Sequence, residues 1–232
     1  MNAKPEAIPS GLDHLAMIRH GAAYAANQTA EHLADFKINN DLIGTAMNVI
    51  YQAATCHRKC QGGAHTFERL LGRAYNLGCG SYNLTVFGLY DEALSLIRSL
   101  GEIANLVMLS AVDGPKIKEW PHASREERLN KFSPVKIRRM LEAMEMEPCA
   151  NDKWYREMSE GYSHITPDTQ PNFHGGYAFV GGRYEPEGMR KCFGSMLYVL
   201  VTLAMFVARF FKFNDLFDEI SKKLRQVPDH QT

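Results

Sequence analysis

Apolar residues recur at helical spacing through most of the chain, and a period-two pattern is confined to one short segment. Leu12 to Phe36 is Ala-rich, broken only by Gly21 and opened by a capping residue at Asp13, so a first helix is expected after a loose arm over residues 1–11. Leu42, Ile43, Ala46, Met47, Val49, Ile50 and Ala53 predict a second helix that starts at Asn40 or Asp41 and fades at Gly62-Gly63. A third runs from Thr66 to about Phe87. The strongest helical pattern, Tyr90 to Val112, ends at the stop signal Asp113-Gly114-Pro115. Ser133-Pro134 opens a short helix reaching about Met146, Asn151 or Asp152 caps another reaching Tyr162 or His164, and Glu187 begins a last helix extending to about Leu224. Between these last two, Tyr177 to Tyr184 centred on Gly181-Gly182 predicts a β-hairpin with a two-residue primed turn. The expected fold is an all-α bundle of roughly six to eight helices with one short β-hairpin before a long C-terminal helix, as a single domain over 12–232.

The helix from Tyr90 to Val112 carries the first candidate site. Wound at about 100° per residue, it places Ala93, Leu96, Leu100, Ile103 and Val107 on one face and Arg98, Glu102 and Asn105 on the other. The neighbours of that second face are Leu94, Leu109 and Val112, so the helix is apolar nearly all round. Arg98 and Glu102, spaced i,i+4, therefore read as charges set into an interior or interfacial wall. They form either a structural ion pair that fixes helix register or an anion-binding guanidinium oriented by a carboxylate.

The segment Trp154 to His164 carries the second. Tyr155, Ser159 and Tyr162 share a helical face at i, i+4 and i+7, and Glu160 stands four residues before His164. His164 falls at a helix C-terminus, where it serves as a simple cap or as a general acid or base with hydrogen bonds from Ser159 or Tyr162. The candidate catalytic set is thus His164, Arg98 and Glu102, and the candidate ligand contacts are Arg98, Asn105, Tyr155, Ser159 and Tyr162.

Charge and cysteine usage narrow the classes. Lys and Arg total 26 against 26 Asp and Glu, which disfavours binding nucleic acid through a broadly basic surface. Five cysteines at irregular spacing fit reduced thiols and a cytoplasmic setting rather than a disulfide scaffold, and the N-terminus reads as neither a secretory signal nor a transit peptide. Cys192 to Ala208 runs 17 residues without a charge, short for a membrane span of about 20, and reads first as a buried central helix. Cys56-His57-Arg58-Lys59-Cys60 with His65 nearby lacks the matched second pair that zinc favours, and a cysteine pair at i,i+4 within a helix reads as incidental. Asp13-His14 and Glu31-His32 lack the repeat of a di-iron bundle. No metal and no cofactor is expected.

Tyr90 to Glu102, with its Arg98-Ser-Leu-Gly-Glu102 core, resembles the R-S-L-x-E helix of an uncharacterised bacterial all-helical family. Members of that family also carry a later segment like Tyr155-x-x-x-Ser159-x-x-x-x-His164. The resemblance covers about residues 81–211 and implies a bundle in which Arg98, Glu102, Ser159 and His164 converge. Such bundles are similar to the HEPN class, whose metal-independent ribonucleases use an R-x(4–6)-H motif. Arg156 and His164 fall outside that spacing; Arg58 and His65 fit it by count, but Gly62-Gly63 lies between them. The resulting expectation is an intracellular homo-oligomer, a dimer first, with a polar pocket for a small anionic or nucleotide-like ligand. A ribonuclease of a toxin or defence system is the alternative, and a membrane-associated helical protein the third reading.

Overall fold

The computed structural model describes residues 11–166 and 178–227, and among these residues the fold is all-α. Helix α1 (Gly11–His32) passes through a 3-10 turn (Leu33–Phe36) into α2 (Lys37–Ala54). Then come α3 (Thr66–Val86), α4 (Tyr90–Val112), α5 (Gly114–Glu119), α6 (Arg125–Phe132), α7 (Pro134–Ala143), α8 (Asp152–Tyr162), α9 (Pro186–Phe211) and α10 (Asn214–Leu224). Of the arm expected over 1–11, residues 1–10 lie outside the described residues and Gly11 already begins α1.

Four helices make the core. α3 packs on α4, α4 on α9, α9 on α2, and α2 back on α3. Their facing residues explain why: Leu94, Ile97 and Leu100 of α4, Phe193 and Leu200 of α9, Leu42 and Ile50 of α2 and Leu71 of α3 are all removed from solvent. Each such side chain stabilises the fold by about 1.5–3 kcal/mol relative to an exposed one. α7 and α8 cover α4 from outside, and α10 lies across α2 and α9. Both α4 and α9 are long and apolar enough to cross a bilayer, and 56% and 61% of their most apolar stretches are buried inside the fold.

The expected hairpin is not formed. Tyr177 lies outside the described residues, and 178–185 holds no strand. Its backbone binds elsewhere: the Arg183 N–H donates to the Gly88 carbonyl at 3.3 Å, tying the segment to the turn between α3 and α4. Gly88, at φ 71°, has no room for a side chain, since a Cβ there would stand 2.3 Å from the Arg183 carbonyl oxygen. Docking thus takes one N–H that the hairpin would use, and an isolated two-stranded ribbon is marginal to begin with.

The last expected helix is two. Lys212 adopts the left-handed conformation (φ 62°), and the Phe213 N–H closes back on the Ala208 carbonyl at 2.8 Å. Phe213 turns inward onto Phe211 (5.4 Å between centroids), while Phe67 stacks on Phe210 at 4.9 Å. Aromatic packing therefore breaks a helix whose apolar spacing is continuous. α5, which begins at Gly114 inside the expected stop, has no counterpart among the expected helices, and neither has α6. α6 starts on a capping box in which the Ser124 side chain and Glu127 exchange hydrogen bonds with each other's backbone.

Candidate functional site at the α4–α8 seam

The site is built by the way α8 is laid on α4. Asn105 clamps the chain before α8: its amide donates to the Ala150 carbonyl at 2.9 Å, and its carbonyl accepts the Ala150 N–H at 3.1 Å. Asn151 then caps α8 by accepting the Trp154 N–H at 3.0 Å. Gly101 lets the helices close. A Cβ at this position would stand 2.8 Å from Trp154 Cζ3 and 3.0 Å from Ala150 Cβ, so the indole rests against bare backbone.

That docking delivers Tyr155 and Ser159 to Arg98. The Arg98 Nε donates to Ser159 Oγ at 2.6 Å, and Nη2 donates to the Tyr155 hydroxyl. Glu102 Oε1 lies 3.1 Å from the same Nη2, and the two charged side chains are only 15% and 30% exposed. The guanidinium carbon of Arg98 stands 4.5 Å from the Tyr155 ring centroid, and that of Arg138 4.4 Å. Burial raises the Tyr155 phenol above its ordinary pKa, assisted by the Glu102 carboxylate. Arg138 is itself buried; its Nη2 donates to Asp152 Oδ1 at 3.0 Å while Nη1 has no hydrogen-bond partner among the described residues. Arg156 binds the other oxygen of Asp152 at 2.7 Å.

Of the residues singled out in the sequence, Arg98, Glu102, Tyr155 and Ser159 meet as one network. Asn105 spends its amide on the backbone of Ala150. Tyr162 turns to α9, where the Lys191 ammonium lies 5.0 Å from its ring centroid. His164 is exposed just past α8, its backbone N–H donating to the Ser159 carbonyl at 2.8 Å. Tyr162 and His164 take no part in the Arg98 contacts described above.

Glu102 also faces a cleft. A cavity of about 320 Å³ opens between α3, α4 and α7, lined by Arg73, Glu102, Asn105, Trp120, Phe132 and Ile137 among others. Its walls are largely apolar, and exposed Arg73 stands at its rim. Sequence reasoning missed Arg73, Phe132 and Ile137 as a group, because they come from separate helices with no shared motif. A larger cleft of about 610 Å³ separates α1 from residues 179–184. Among the described residues Arg183 is the charged one in its lining, and its guanidinium carbon lies 4.6 Å from the Phe179 ring centroid.

A separate cluster occupies the connection between α2 and α3. The expectation of no metal-binding group there rested on the lack of a matched second ligand pair and on a cysteine pair within a helix, and the structure corrects the second premise. α2 ends at Ala54, so Cys56 and Cys60 lie in the connection, and one ligand atom from each of Cys56, Cys60, His65 and Glu68 lies within 4.8 Å of the others. Arg58 points away, ion-paired to Asp215 at 2.6 Å, so the Arg58 and His65 side chains engage different partners.

Compared with known proteins, the chain matches no family model, no curated protein sequence and no solved structure.

Proposed function

We propose that the protein is a small-molecule binding module whose ligand has an apolar, ring-sized body and an anionic end. The observation that carries this reading is the cleft beside Glu102, where apolar walls from Trp120, Phe132 and Ile137 share one cavity with Arg73. Specific sites for small ligands combine mostly apolar walls with a few placed polar groups, in volumes of about 300–1,000 Å³. At about 320 Å³, this one sits at the small end of that range.

Arg73 is the better anion partner than Arg98. The Arg98 guanidinium already serves Glu102, Ser159 and Tyr155, and Glu102 neutralises its charge. In this reading the Arg98 network is the rigid rear wall, which keeps the Glu102 carboxylate in one place. Glu102 then disfavours a second negative charge deep in the cleft and directs a ligand's anionic end to the rim.

The chain has two tryptophans, and they report different places: Trp120 lines the cleft and Trp154 lies in the α4–α8 seam. Titration with indole-3-carboxylate, benzoate and benzylamine, followed by the two indole N–H resonances, tests the reading. The acids are expected to shift the Trp120 signal and leave Trp154 in place, and Arg73→Ala is expected to abolish the shift without changing the melting temperature. Equal response to benzylamine, or no response at Trp120 to either acid, overturns it.

A further inference from the structure

We infer that Cys56, Cys60, His65 and Glu68 form a four-coordinate zinc site closing the connection between α2 and α3. The geometry is that of a ligand set. His65 Nδ1 lies 3.4 Å from Cys60 Sγ and 3.9 Å from Cys56 Sγ. Glu68 Oε2 lies 3.9 Å from the same nitrogen. A tetrahedral ion with bonds of about 2.3 Å to sulfur and about 2.0–2.2 Å to nitrogen or oxygen holds its donors about 3.3–3.8 Å apart. Small side-chain movements bring all four donors onto one centre.

The second indication is the state of Glu68. It is 4% exposed, and its Oε2 is buried with no hydrogen-bond partner among the described residues. Burying an ionised carboxylate is unfavourable unless a cation or a set of donors compensates it. Its other oxygen is held in place by the Gln61 N–H at 2.7 Å, which leaves Oε2 directed toward His65 and the thiols. A divalent ion supplies the missing charge.

The backbone is shaped for convergence. Cys56 and His65 adopt left-handed conformations (φ 55° and 51°), which are costly for side-chain-bearing residues, and Gly62 and Gly63 (φ 74° and 64°) complete the reversal. The Gly62 N–H donates to Cys60 Sγ at 3.2 Å, the kind of supporting hydrogen bond that orients a metal thiolate.

Two thiolates with an imidazole select zinc over magnesium or calcium, which take oxygen donors. With all four positions supplied by protein, the site is structural rather than catalytic. It fixes the loop from which Arg58 reaches Asp215 and lies over the Phe213 ring at 5.6 Å, so loading it also secures α10.

The test uses the full chain, purified under reducing conditions without chelator. Elemental analysis is expected to find zinc at about one ion per chain. After stripping, cobalt(II) is expected to give the intense visible bands of a tetrahedral ion and a near-ultraviolet thiolate charge-transfer band, displaced by zinc. Cys60 is exposed, and Glu68→Gln preserves volume and the Gln61 contact, so both single variants keep the fold by circular dichroism. Cys60→Ser is expected to weaken the charge-transfer band, and each variant to lower cobalt affinity at least tenfold, the low end of what even an outer-shell partner contributes. Three results overturn the inference: no tetrahedral cobalt spectrum from the reduced chain, unchanged spectrum and affinity in both variants, or a Cys56–Cys60 disulfide whose reduction yields no metal uptake.

Discussion

Gly101→Ala probes the contact on which the α4–α8 seam depends. A Cβ at that position meets Trp154 Cζ3 at 2.8 Å and both Trp154 Cη2 and Ala150 Cβ at 3.0 Å. Carbon atoms pack at about 3.5–4.0 Å, so the indole and the chain behind it must retreat by about 0.5–1 Å. Overpacking of this kind costs about 1–3 kcal/mol, while Ala in place of Gly within a helix returns about 1 kcal/mol. The expected net effect lies between neutral and a loss of about 2 kcal/mol. Replacing Trp154 by phenylalanine removes the outer indole atoms that clash and leaves only the Ala150 Cβ contact at 3.0 Å, so in that background Gly101→Ala is expected to cost less than in the wild type or to stabilise by up to about 1 kcal/mol. Urea unfolding of the wild type, both single variants and the double variant, followed by far-ultraviolet circular dichroism, gives the coupling energy directly. It should be about 1–2 kcal/mol, with the double variant more stable than the sum of the single changes requires. If Gly101→Ala stabilises the wild type as much as it does the Trp154→Phe background, Trp154 does not rest on Gly101 and α8 is not docked on α4 in this way.

Arg98→Met leaves the Ser159 hydroxyl and the Glu102 carboxylate without their donor and should destabilise by about 3 kcal/mol in denaturant titration; adding Glu102→Leu should recover part of that loss, and no recovery would argue against an ion pair. Asp152, Asp215 and Glu127 have carboxyl pKa values held below the usual range, first by hydrogen bonds to Arg156, Arg58 and the Ser124 backbone respectively. Their stabilisation is therefore full above the ordinary carboxylate range and is lost as pH falls through the lowered values, so melting temperature should hold above about pH 5 and drop below about pH 4, less steeply in Asp215→Asn. Lys212→Gly relieves a left-handed residue at the end of α9 and should stabilise by up to about 1 kcal/mol, read as a raised urea midpoint.

The parts of the fold that were legible are those where local pattern and tertiary packing agree. Thr66–Val86, Tyr90–Val112 and Asp152–Tyr162 lie where their caps, stops and apolar spacing place them. The winding of α4 also exposed Arg98 and Glu102 as charges out of place, and the i,i+4 pair Tyr155 and Ser159 proved to be their partners on α8. What was not legible depends on contacts between distant segments. The break at Lys212 follows from aromatic packing around Phe67, and the lost hairpin follows from Gly88 taking the Arg183 N–H. The Cys56–Glu68 cluster was hidden because it needs α2 to stop at Ala54 and the loop to reverse through left-handed residues. α6 had a local signal that went unread, the Ser-x-x-Glu capping box at Ser124 and Glu127, and α5 begins at Gly114, inside the segment read as a stop.

The claim that the cleft beside the Arg98–Glu102 wall is a ligand site is tested most directly by a crystal structure of the protein soaked in indole-3-carboxylate. The expected result is the ring between Trp120 and Phe132 with the carboxylate on Arg73, and Arg98 still bound to Glu102, Tyr155 and Ser159. A ligand seated elsewhere, an empty cleft at saturating concentration, or a carboxylate that displaces Glu102 from Arg98 would contradict it.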